Sequence, residues 1–337
     1  MNYFCKKTKT LTNIGKISLP PYPLILAPME DITDSSFRML CKSYGADLLY
    51  TEFIASDALV RYVPRSLKKL EFEPMERPIG VQIFGRCPDT MAEAAAIAES
   101  YQPDFIDLNF GCPVKKVVNK GGGAALLNNP SKMIEITNAV VKKVKIPVTV
   151  KTRLGWDDKN KPIVEVAEHL QDAGASAIAI HGRTKAQMYG GKADWSLIGE
   201  VVRNPAMHIP VFGNGDVICP KTAMNVRQEY GVHGVMIGRA CIGNPWLFDQ
   251  IKHFFKTRQL KPPPDIKKRI EVCKWFLLKS VELKGEKRGI FHLRRHYSAF
   301  FKGLPNIKNL RMQLVTSNSV EEIMDILDNI PERESHV

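Results

Sequence analysis

The sequence predicts an α/β protein, a TIM (β/α)8 barrel followed by a small C-terminal helical domain. Short apolar runs of strand type alternate with longer helical patterns eight times between residues 24 and 245. That stretch of roughly 230 residues approaches the ~250 that are typical of such a barrel. After residue 265 the sequence keeps helical periodicity and has no strand-like runs. A doubly wound sheet is the alternative, although that fold usually has fewer strand–helix units.

The eight candidate strands are apolar runs of four to six residues. They lie at 24–27, 48–51, 79–84, 105–108, 148–152, 177–181, 211–214 and 234–237. Thr33, Asp34, Asp89 and Pro130 precede helical patterns between these runs and favour helix N-termini. The first run lies within an apolar segment, 22–29, that two prolines interrupt. We therefore interpret it as a strand rather than a signal peptide or a membrane span.

A run of three prolines at 262–264 marks a boundary, because proline cannot continue a helix. We predict a barrel domain at 1–248 that carries the catalytic site, and a basic helical domain at 249–337. Four helices are expected in the second domain. Their apolar positions lie at 270–281, 291–301, 310–315 and 320–327.

Positive charge is concentrated in this second part of the chain. The formal net charge is +13, and residues 251–315 contain 17 Lys and Arg against 4 Asp and Glu. The rest of the chain carries 31 residues of each sign. Such an excess predicts a polyanionic partner, either nucleic acid or an anionic membrane surface. Basic residues alternate with aromatic ones around Arg288, Arg294 and Arg295, a pattern that favours RNA contacts.

The cysteines indicate the compartment and argue against a metal site. Seven of them, at positions 5, 41, 87, 112, 219, 241 and 273, lack C-x-x-C spacing. This pattern is atypical of zinc sites and of secreted disulfide frameworks. We therefore predict no bound metal and a reducing, cytoplasmic environment.

Cys112 is the candidate catalytic group. It follows the strand at 105–108 and lies in the sequence NFGCP, before a basic, glycine-rich loop. Loops at the carboxyl ends of parallel strands surround the ligand site in α/β proteins. Gly111 and Pro113 would hold the thiol towards that site. The alternative is a buried and inert cysteine, which is the commoner fate of this residue type.

Polar residues at the other strand ends predict a phosphorylated, planar cofactor such as FMN. The glycine-containing segments 213–216 and 237–239 follow the seventh and eighth strands, where TIM barrels often bind phosphate. Gln82, Lys151 and His181 would lie across the middle of the cofactor, and Met29 near the first strand. The Lys151 ammonium would lie beside the negative charge of a reduced isoalloxazine.

Long motifs along the chain resemble the tRNA-dihydrouridine synthases, flavoproteins that reduce uridine in RNA. The motifs are LAPMEDITDSSFR, VQIFG, DLNFGCPVKKVVNKGGGAALL, VTVKTRLGWD, AIHGRTKAQMYGGKADW, VFGNGD and VMIGRACIGNPWLF. They run in order over about residues 24–248, and the basic tail resembles that family's RNA-binding domain.

The resemblance implies a role for individual residues. Cys112 would be the proton donor. FMN contacts would be Pro28, Met29, Glu30, Gln82, Lys151, His181, Asn214, Gly215, Asp216, Gly238 and Arg239. Asn109 and Arg153 would lie beside the flavin or the uracil. From their place at a strand end and in the basic tail, we also expect RNA contacts from Arg183, Arg288, Arg294 and Arg295. Many family members have a small Ala-Gly pair where this chain has Glu30 and Asp31, so a backbone contact is expected of Glu30.

The implied reaction is reduction of a uridine C5=C6 bond in tRNA, with rRNA as the alternative target. Hydride would pass from reduced FMN to C6 and a proton from Cys112 to C5. NADPH, or NADH, would reduce the flavin. We expect no membrane association and no stable protein partner. One rival is a metabolic flavoenzyme acting on a free pyrimidine, such as a dihydroorotate dehydrogenase-like barrel. The other is a non-catalytic RNA-binding scaffold.

Overall fold

A computed structural model describes residues 11–330 and confirms the predicted barrel. Its strands are β1 Thr12–Ile14, β2 Ile17–Leu19, β3 Leu24–Leu26, β4 Leu49–Tyr50, β5 Ile54–Ala55, β6 Ile79–Phe84, β7 Phe105–Asn109, β8 Val148–Arg153, β9 Ala177–His181, β10 Val211–Asn214 and β11 Gly234–Ile237. Parallel pairing follows the order β3-β11-β10-β9-β8-β7-β6-β4, and β5 pairs with β6. A parallel bridge between Ile25 and Leu48 joins the first barrel strand to the second. The Leu26 amide also donates to the Leu48 carbonyl at 3.0 Å.

Helices cover the outside of the barrel and form the tail. They are α1 Ser35–Ser43, α2 Ser56–Val60, α3 Pro64–Leu67, α4 Pro88–Glu99, α5 Lys115–Val118, α6 Pro130–Lys143, α7 Ile163–Asp172, α8 Ser196–Arg203, α9 Pro220–Tyr230, α10 Leu247–Thr257, α11 Ile266–Lys284, α12 Glu286–Leu293, α13 Tyr297–Phe300, α14 Ile307–Thr316 and α15 Val320–Asp328. Asp34 caps α1 as expected, since its carboxylate accepts the Phe37 amide at 3.0 Å. At α4 the N-cap is Cys87, and Asp89 lies in the first turn.

The barrel interior has an apolar lower layer and a polar upper layer. Side chains alternate along each strand, so every second residue of β7 and β9 faces inwards. Phe105, Ala177 and Ala179 belong to an apolar cluster that also contains Ile14 and Leu19 of the β1–β2 hairpin. The hairpin therefore closes the amino-terminal end of the barrel. It was not predicted from the sequence, because each of its strands has only three residues.

Within residues 11–330, the tail contains five helices after the three prolines, one more than predicted. The segment expected as one helix at 291–301 is divided into α12 and α13. A loop of the barrel contacts the break: the Gly243 amide donates to His296 Nδ1 at 3.2 Å. A Cβ at Gly243 would lie 2.4 Å from the His296 carbonyl oxygen, so only glycine permits this approach.

Aromatic side chains join the tail to the barrel. The Phe37 ring lies 5.8 Å from Phe276 and 4.8 Å from His296, and Trp246 lies 5.7 Å from Phe300, between ring centroids. The Phe and Trp residues among them belong to one buried core that continues from barrel to tail. Helix α10 crosses position 248 and packs against α9. The division into domains at 1–248 and 249–337 stays a prediction.

Candidate active site

Strand register brings the predicted polar residues together at the carboxyl ends of the strands. Asn109 on β7 is paired with Lys151 on β8. Arg153, His181 and Asn214 are successive neighbours across β8, β9 and β10. One level lower, Gln82, Asp107 and Thr149 form a second row across β6, β7 and β8. The upper row is therefore the floor of the barrel mouth.

Cys112 is held at this mouth by the residue that ends its strand. Asn109 Oδ1 accepts the amide of Gly111 at 3.0 Å and the amide of Cys112 at 2.9 Å. Arg153 Nε donates to the Gly111 carbonyl at 2.7 Å. Cys112 is 8% exposed, and burial raises the pKa of its thiol above the ordinary cysteine value. Cys112 is therefore a protonated thiol at neutral pH, in a fixed loop.

Lys151 and His181 differ in charge although they share the floor of the mouth. Burial, opposed in part by Asp107, lowers the pKa of Lys151 to about 8. Its Nζ lies 3.4 Å from Asn214 Oδ1. Burial and the cations Arg153 and Lys151 hold the pKa of His181 far below its ordinary value. At pH 7 Lys151 is cationic and His181 is neutral.

The loops after β10 and β11 fit a phosphate group. Gly215 has a φ of +128°, and a Cβ there would lie 2.7 Å from Ala193 Cβ. Arg239 begins a 3-10 turn, Arg239–Cys241, whose first amides have no partner within the turn. Its side chain is 57% exposed. At Gly238 a Cβ would lie 3.6 Å from Met29 Sδ, so the first and eighth strand ends meet here.

The carboxylate of Asp216 is hydrogen-bonded to groups of the protein itself. Its carboxylate accepts from Arg183 Nη2 at 2.9 Å and from the Ala193 amide at 2.7 Å, with Arg239 Nη2 at 3.7 Å. Although burial opposes the change, the Ala193 amide and Arg183 lower the pKa of Asp216. Asp216 therefore positions Arg239 and the loop that contains Ala193.

Two arginines that were predicted to contact the substrate donate most of their hydrogen bonds to loop carbonyls. Arg153 and Arg183 are each 2% exposed. Arg153 Nη1 donates to Thr184 and Met188, and Arg183 donates to the carbonyls of Gly190 and Gly191. Their contact with a substrate stays a prediction. Their evident role is to fix the loop that follows β9.

Tyr189, in that loop, was missed in the sequence. It is 48% exposed and lies between two guanidinium groups, with Arg153 Cζ at 5.6 Å and Arg239 Cζ at 5.2 Å from its ring centroid. The available signal was an aromatic residue beside two glycines after a strand end. Tyr189 therefore joins Arg153 and Arg239 at the mouth through cation–π contacts.

A cavity of about 980 Å³ separates the barrel loop at 61–73 from α11 and α12. Basic residues line it from both sides: Arg38, Arg65, Lys68 and Lys69 from the barrel, and Lys284, Lys287, Arg288 and Arg295 from the tail. Six carboxylates line it as well, from Asp31, Asp34, Glu52, Glu71, Glu73 and Glu282. We call this cavity the basic groove. Arg65, Lys68, Lys287 and Arg288 are exposed and have no side-chain hydrogen bond or ion pair within residues 11–330. The four basic residues on the barrel side were not predicted.

The tail arginines occupy different positions. Arg288 lies in the basic groove, whereas Arg294 Nη2 donates to the Ser317 carbonyl at 3.1 Å and to Asn318 at 3.0 Å. Arg295 contacts Asp31 of the barrel. Of the three predicted RNA contacts, only Arg288 has a free guanidinium in the part of the chain that the structure describes.

Glu30 and Asp31 form an acidic cluster with Glu52 at one end of the groove. One carboxylate oxygen from each lies within 4.8 Å of the others. Lys69 Nζ lies 2.7 Å from Glu30 and 3.8 Å from Glu52. The Glu30 side chain thus contacts a groove lysine, and Lys69 and Arg295 offset part of the negative charge of the cluster.

The family model for dihydrouridine synthase (Dus) matches residues 25–334. The chain belongs to the dihydrouridine synthase family. A probable tRNA-dihydrouridine synthase 1 from Synechocystis is 41% identical over 318 residues, which cover 94% of this chain and 88% of that one. A tRNA-dihydrouridine synthase B from Pseudomonas aeruginosa is 38% identical over 304 residues, 90% of this chain and 91% of that one. The resemblance seen in the sequence is confirmed.

Solved structures show the same barrel at low identity. A 2-naphthoyl-CoA reductase complex has a TM-score of 0.56 and 12% identity, covering 72% of this chain and 51% of that one. Morphinone reductase has a TM-score of 0.52 and 12% identity, covering 76% and 91%. These similarities concern the fold.

Within residues 11–330, no helix of this dihydrouridine synthase family member combines the length and apolarity needed to cross a bilayer.

Proposed function

We propose that this chain reduces the C5=C6 bond of a uridine in transfer RNA, in the cytoplasm, with FMN as the hydride carrier and NADPH, or NADH, as its reductant. The observation that carries the proposal is the protonated Cys112 thiol, fixed by Asn109 beside a floor that contains Lys151. An acid in this position can serve a reduction in which a carbon atom must receive a proton.

The residues present fit FMN. Gly215, Gly238 and the start of the 3-10 turn at Arg239 offer space, amides and a cation for the phosphate. Lys151 is the cation beside the ring system, and neutral His181 is a neighbour that adds no charge. Gln82 donates one Nε2 proton to Asp107 and accepts from Asn109 through Oε1; it is fully buried, and its contact with FMN stays a prediction.

The proposed chemistry assigns each side chain a step. When bound, reduced FMN supplies hydride to C6 of the uracil. Cys112 gives its proton to C5, and its raised pKa keeps the thiol protonated until that moment. Asn109 holds the Cys112 amide, and Arg153 holds the Gly111 carbonyl, so the loop stays in place. Tyr189, half-exposed with Arg153 and Arg239 against its ring, would line the entrance through which a flipped base passes.

The basic groove supports RNA as the substrate. A uridine in folded RNA must be flipped out to reach the mouth, at a cost of a few kcal/mol. Phosphate contacts with Arg65, Lys68, Lys287 and Arg288 would offset that cost. A flavoenzyme that acts on a free pyrimidine would not need exposed cations in such a groove, because its substrate has no phosphate backbone. A non-catalytic scaffold gives no reason for a buried, protonated thiol held at the barrel mouth.

The proposal is tested by measuring dihydrouridine, position by position, in transfer and ribosomal RNA from cells with and without this gene. Loss at defined tRNA positions is expected, and re-expression of the Cys112→Ala variant should not restore it. Loss of dihydrouridine from rRNA alone would identify rRNA, not tRNA, as the target. An unchanged pattern in a strain without other synthases would favour the free-pyrimidine enzyme, which turnover of uracil or orotate by the purified protein would then identify.

A further inference from the structure

A chain of hydrogen bonds runs through the barrel interior from Asp107 to the Cys112 loop. Gln82 Nε2 donates to Asp107 Oδ2 at 2.6 Å. Asn109 Nδ2 donates to Gln82 Oε1 at 2.8 Å. Asn109 Oδ1 then accepts the amides of Gly111 and Cys112 at 3.0 and 2.9 Å. Asp107 and Gln82 are fully buried, so water does not compete for these groups.

The chain of hydrogen bonds has a direction from donor to acceptor, and the groups at both of its ends require the same direction. Gly111 and Cys112 present N–H groups, so Asn109 must face them with its oxygen and turn its amide nitrogen to Gln82. Gln82 must then present its oxygen to Asn109 and its nitrogen to residue 107. An ionised carboxylate only accepts, so Asp107 stabilises this arrangement and opposes the reversed one.

A reversed chain would have a direct effect on the thiol. If the Gln82 amide rotated by 180°, its nitrogen would face the nitrogen of Asn109. Asn109 would have to rotate as well, and its Nδ2 would then meet two backbone N–H groups. The Cys112 loop would lose both of its acceptor contacts, and each lost contact of a buried group is costly.

We propose that Asp107 is a positioning residue that acts through Gln82 and Asn109 to hold the Cys112 loop in its reactive position. The inference rests on the proposed role of Cys112 and extends it to a residue that does not touch the thiol. What Asp107 supplies is an acceptor with a fixed direction. Thr149 Oγ1 donates to the other carboxylate oxygen and thereby fixes the plane of the group.

The first test compares two replacements of similar size. Asp107→Asn keeps an acceptor for Gln82 and turns its new N–H₂ to the Thr149 hydroxyl, whereas Asp107→Leu removes the acceptor. For Leu we expect kcat for uridine reduction to fall at least tenfold, with KM for tRNA within twofold of the parent value. For Asn we expect kcat within threefold of the parent value. Thr137→Val, which removes a buried hydroxyl bonded to Met133, is the matched control.

The position of the thiol is read directly by the alkylation rate of Cys112 with iodoacetamide, followed by peptide mass spectrometry. We expect Leu to change this rate at least fivefold, and Asn and the control to leave it within twofold. An unchanged rate and an unchanged kcat in Leu would overturn the proposal. Equal losses in Asn and Leu would show that the charge, not the acceptor, matters. Because alkylation needs no turnover, this result is separate from failure of the proposed reaction.

A second set of variants, which exchanges the carboxylate and the amide between positions 107 and 82, tests the proposal if the Asp107→Leu variant does not fold. Gln82→Glu places two carboxylates together. A proton shared by the pair preserves the direction of the hydrogen bonds, so a change of at least fivefold in Cys112 alkylation is expected above the pH at which the pair loses that proton. In the double variant Asp107→Asn with Gln82→Glu, the new amide at position 107 donates to the new carboxylate at position 82. That carboxylate still accepts from Asn109 Nδ2, so we expect the alkylation rate to return to within twofold of the parent value. Failure of this rescue, with the fold intact by circular dichroism, would contradict the directional chain.

Discussion

Arg295 in the tail donates from Nη1 to the backbone carbonyl of Asp31 at 3.0 Å, and its Nη2 lies 3.5 Å from the Asp31 carboxylate. Asp31 is a non-glycine residue with φ of 57°, in the loop that carries Met29. The arginine therefore fastens a strained turn of the barrel to the tail. Arg295 was predicted to bind RNA, but its guanidinium group already contacts Asp31.

Arg288→Ala should weaken tRNA binding more than Arg295→Ala does. Arg288 is exposed in the basic groove without a protein partner among residues 11–330, so its charge is free for a phosphate. We expect Kd to rise about threefold to tenfold and the slope of log K against log salt to fall by about 1. Filter binding from 50 to 200 mM salt measures both. Equal slopes in the two variants would contradict the assignment.

Cys112→Ala should retain the flavin and lose turnover. Removing a positioned general acid costs about 10² to 10⁴ in rate. The absorbance of bound flavin near 450 nm and single-turnover reduction of tRNA measure the two properties. Cys87→Ala, which removes an exposed thiol, is the control and should react at the normal rate. Normal turnover in Cys112→Ala would remove the proton-donor assignment.

Flavin reduction should decline as the pH rises through about 8. Burial lowers the pKa of Lys151 to about 8, so this ammonium loses its proton well before an ordinary lysine near 10.5. The charge is present below that pH and lost above it. Stopped-flow reduction by NADPH from pH 6 to 10 gives the profile. Lys151→Met should be slow at every pH, and a pH-dependent rate in that variant would assign the titration to another group.

Asp107→Asn should stabilise the fold at neutral pH. Burial raises the pKa of Asp107 to about 6 from 3.8, so the folded state binds this proton more tightly than the unfolded state. The stability contributed by this proton is therefore fully present below pH 4 and is lost as pH rises through 6. A shift of about two units corresponds to roughly 3 kcal/mol at pH 7.5. Urea unfolding at pH 7.5 and 4.5 should show a gain at the first pH and about a third of that gain at the second.

The strands were predictable because buried parallel strands are continuous apolar runs. The runs at 79–84, 177–181, 211–214 and 234–237 coincide with β6, β9, β10 and β11. The mouth residues followed from the strand count, since carboxyl ends meet at one face. The division of the predicted helix at 291–301 was not predictable, because it depends on contact between Gly243 and His296.

Several site features depend on tertiary structure that local pattern does not carry. Lys68 and Arg288 are far apart in sequence, and only the packing of α11 and α12 opposite the loop at 61–73 makes them one groove. The occupied donors of Arg153 likewise could not be read from residue type. Asp107 did leave a signal, since a carboxylate inside an apolar run is costly to bury without partners.

The β1–β2 hairpin fills the end of the barrel opposite the mouth in the described part of the chain. For the proposed reaction, the nicotinamide and the uracil must then reach the same face of the flavin through the same entrance, one after the other. The enzyme would alternate between two half-reactions, and no complex with both reactants would form. Initial rates plotted as double reciprocals would give parallel lines, and each reactant in excess would inhibit competitively against the other.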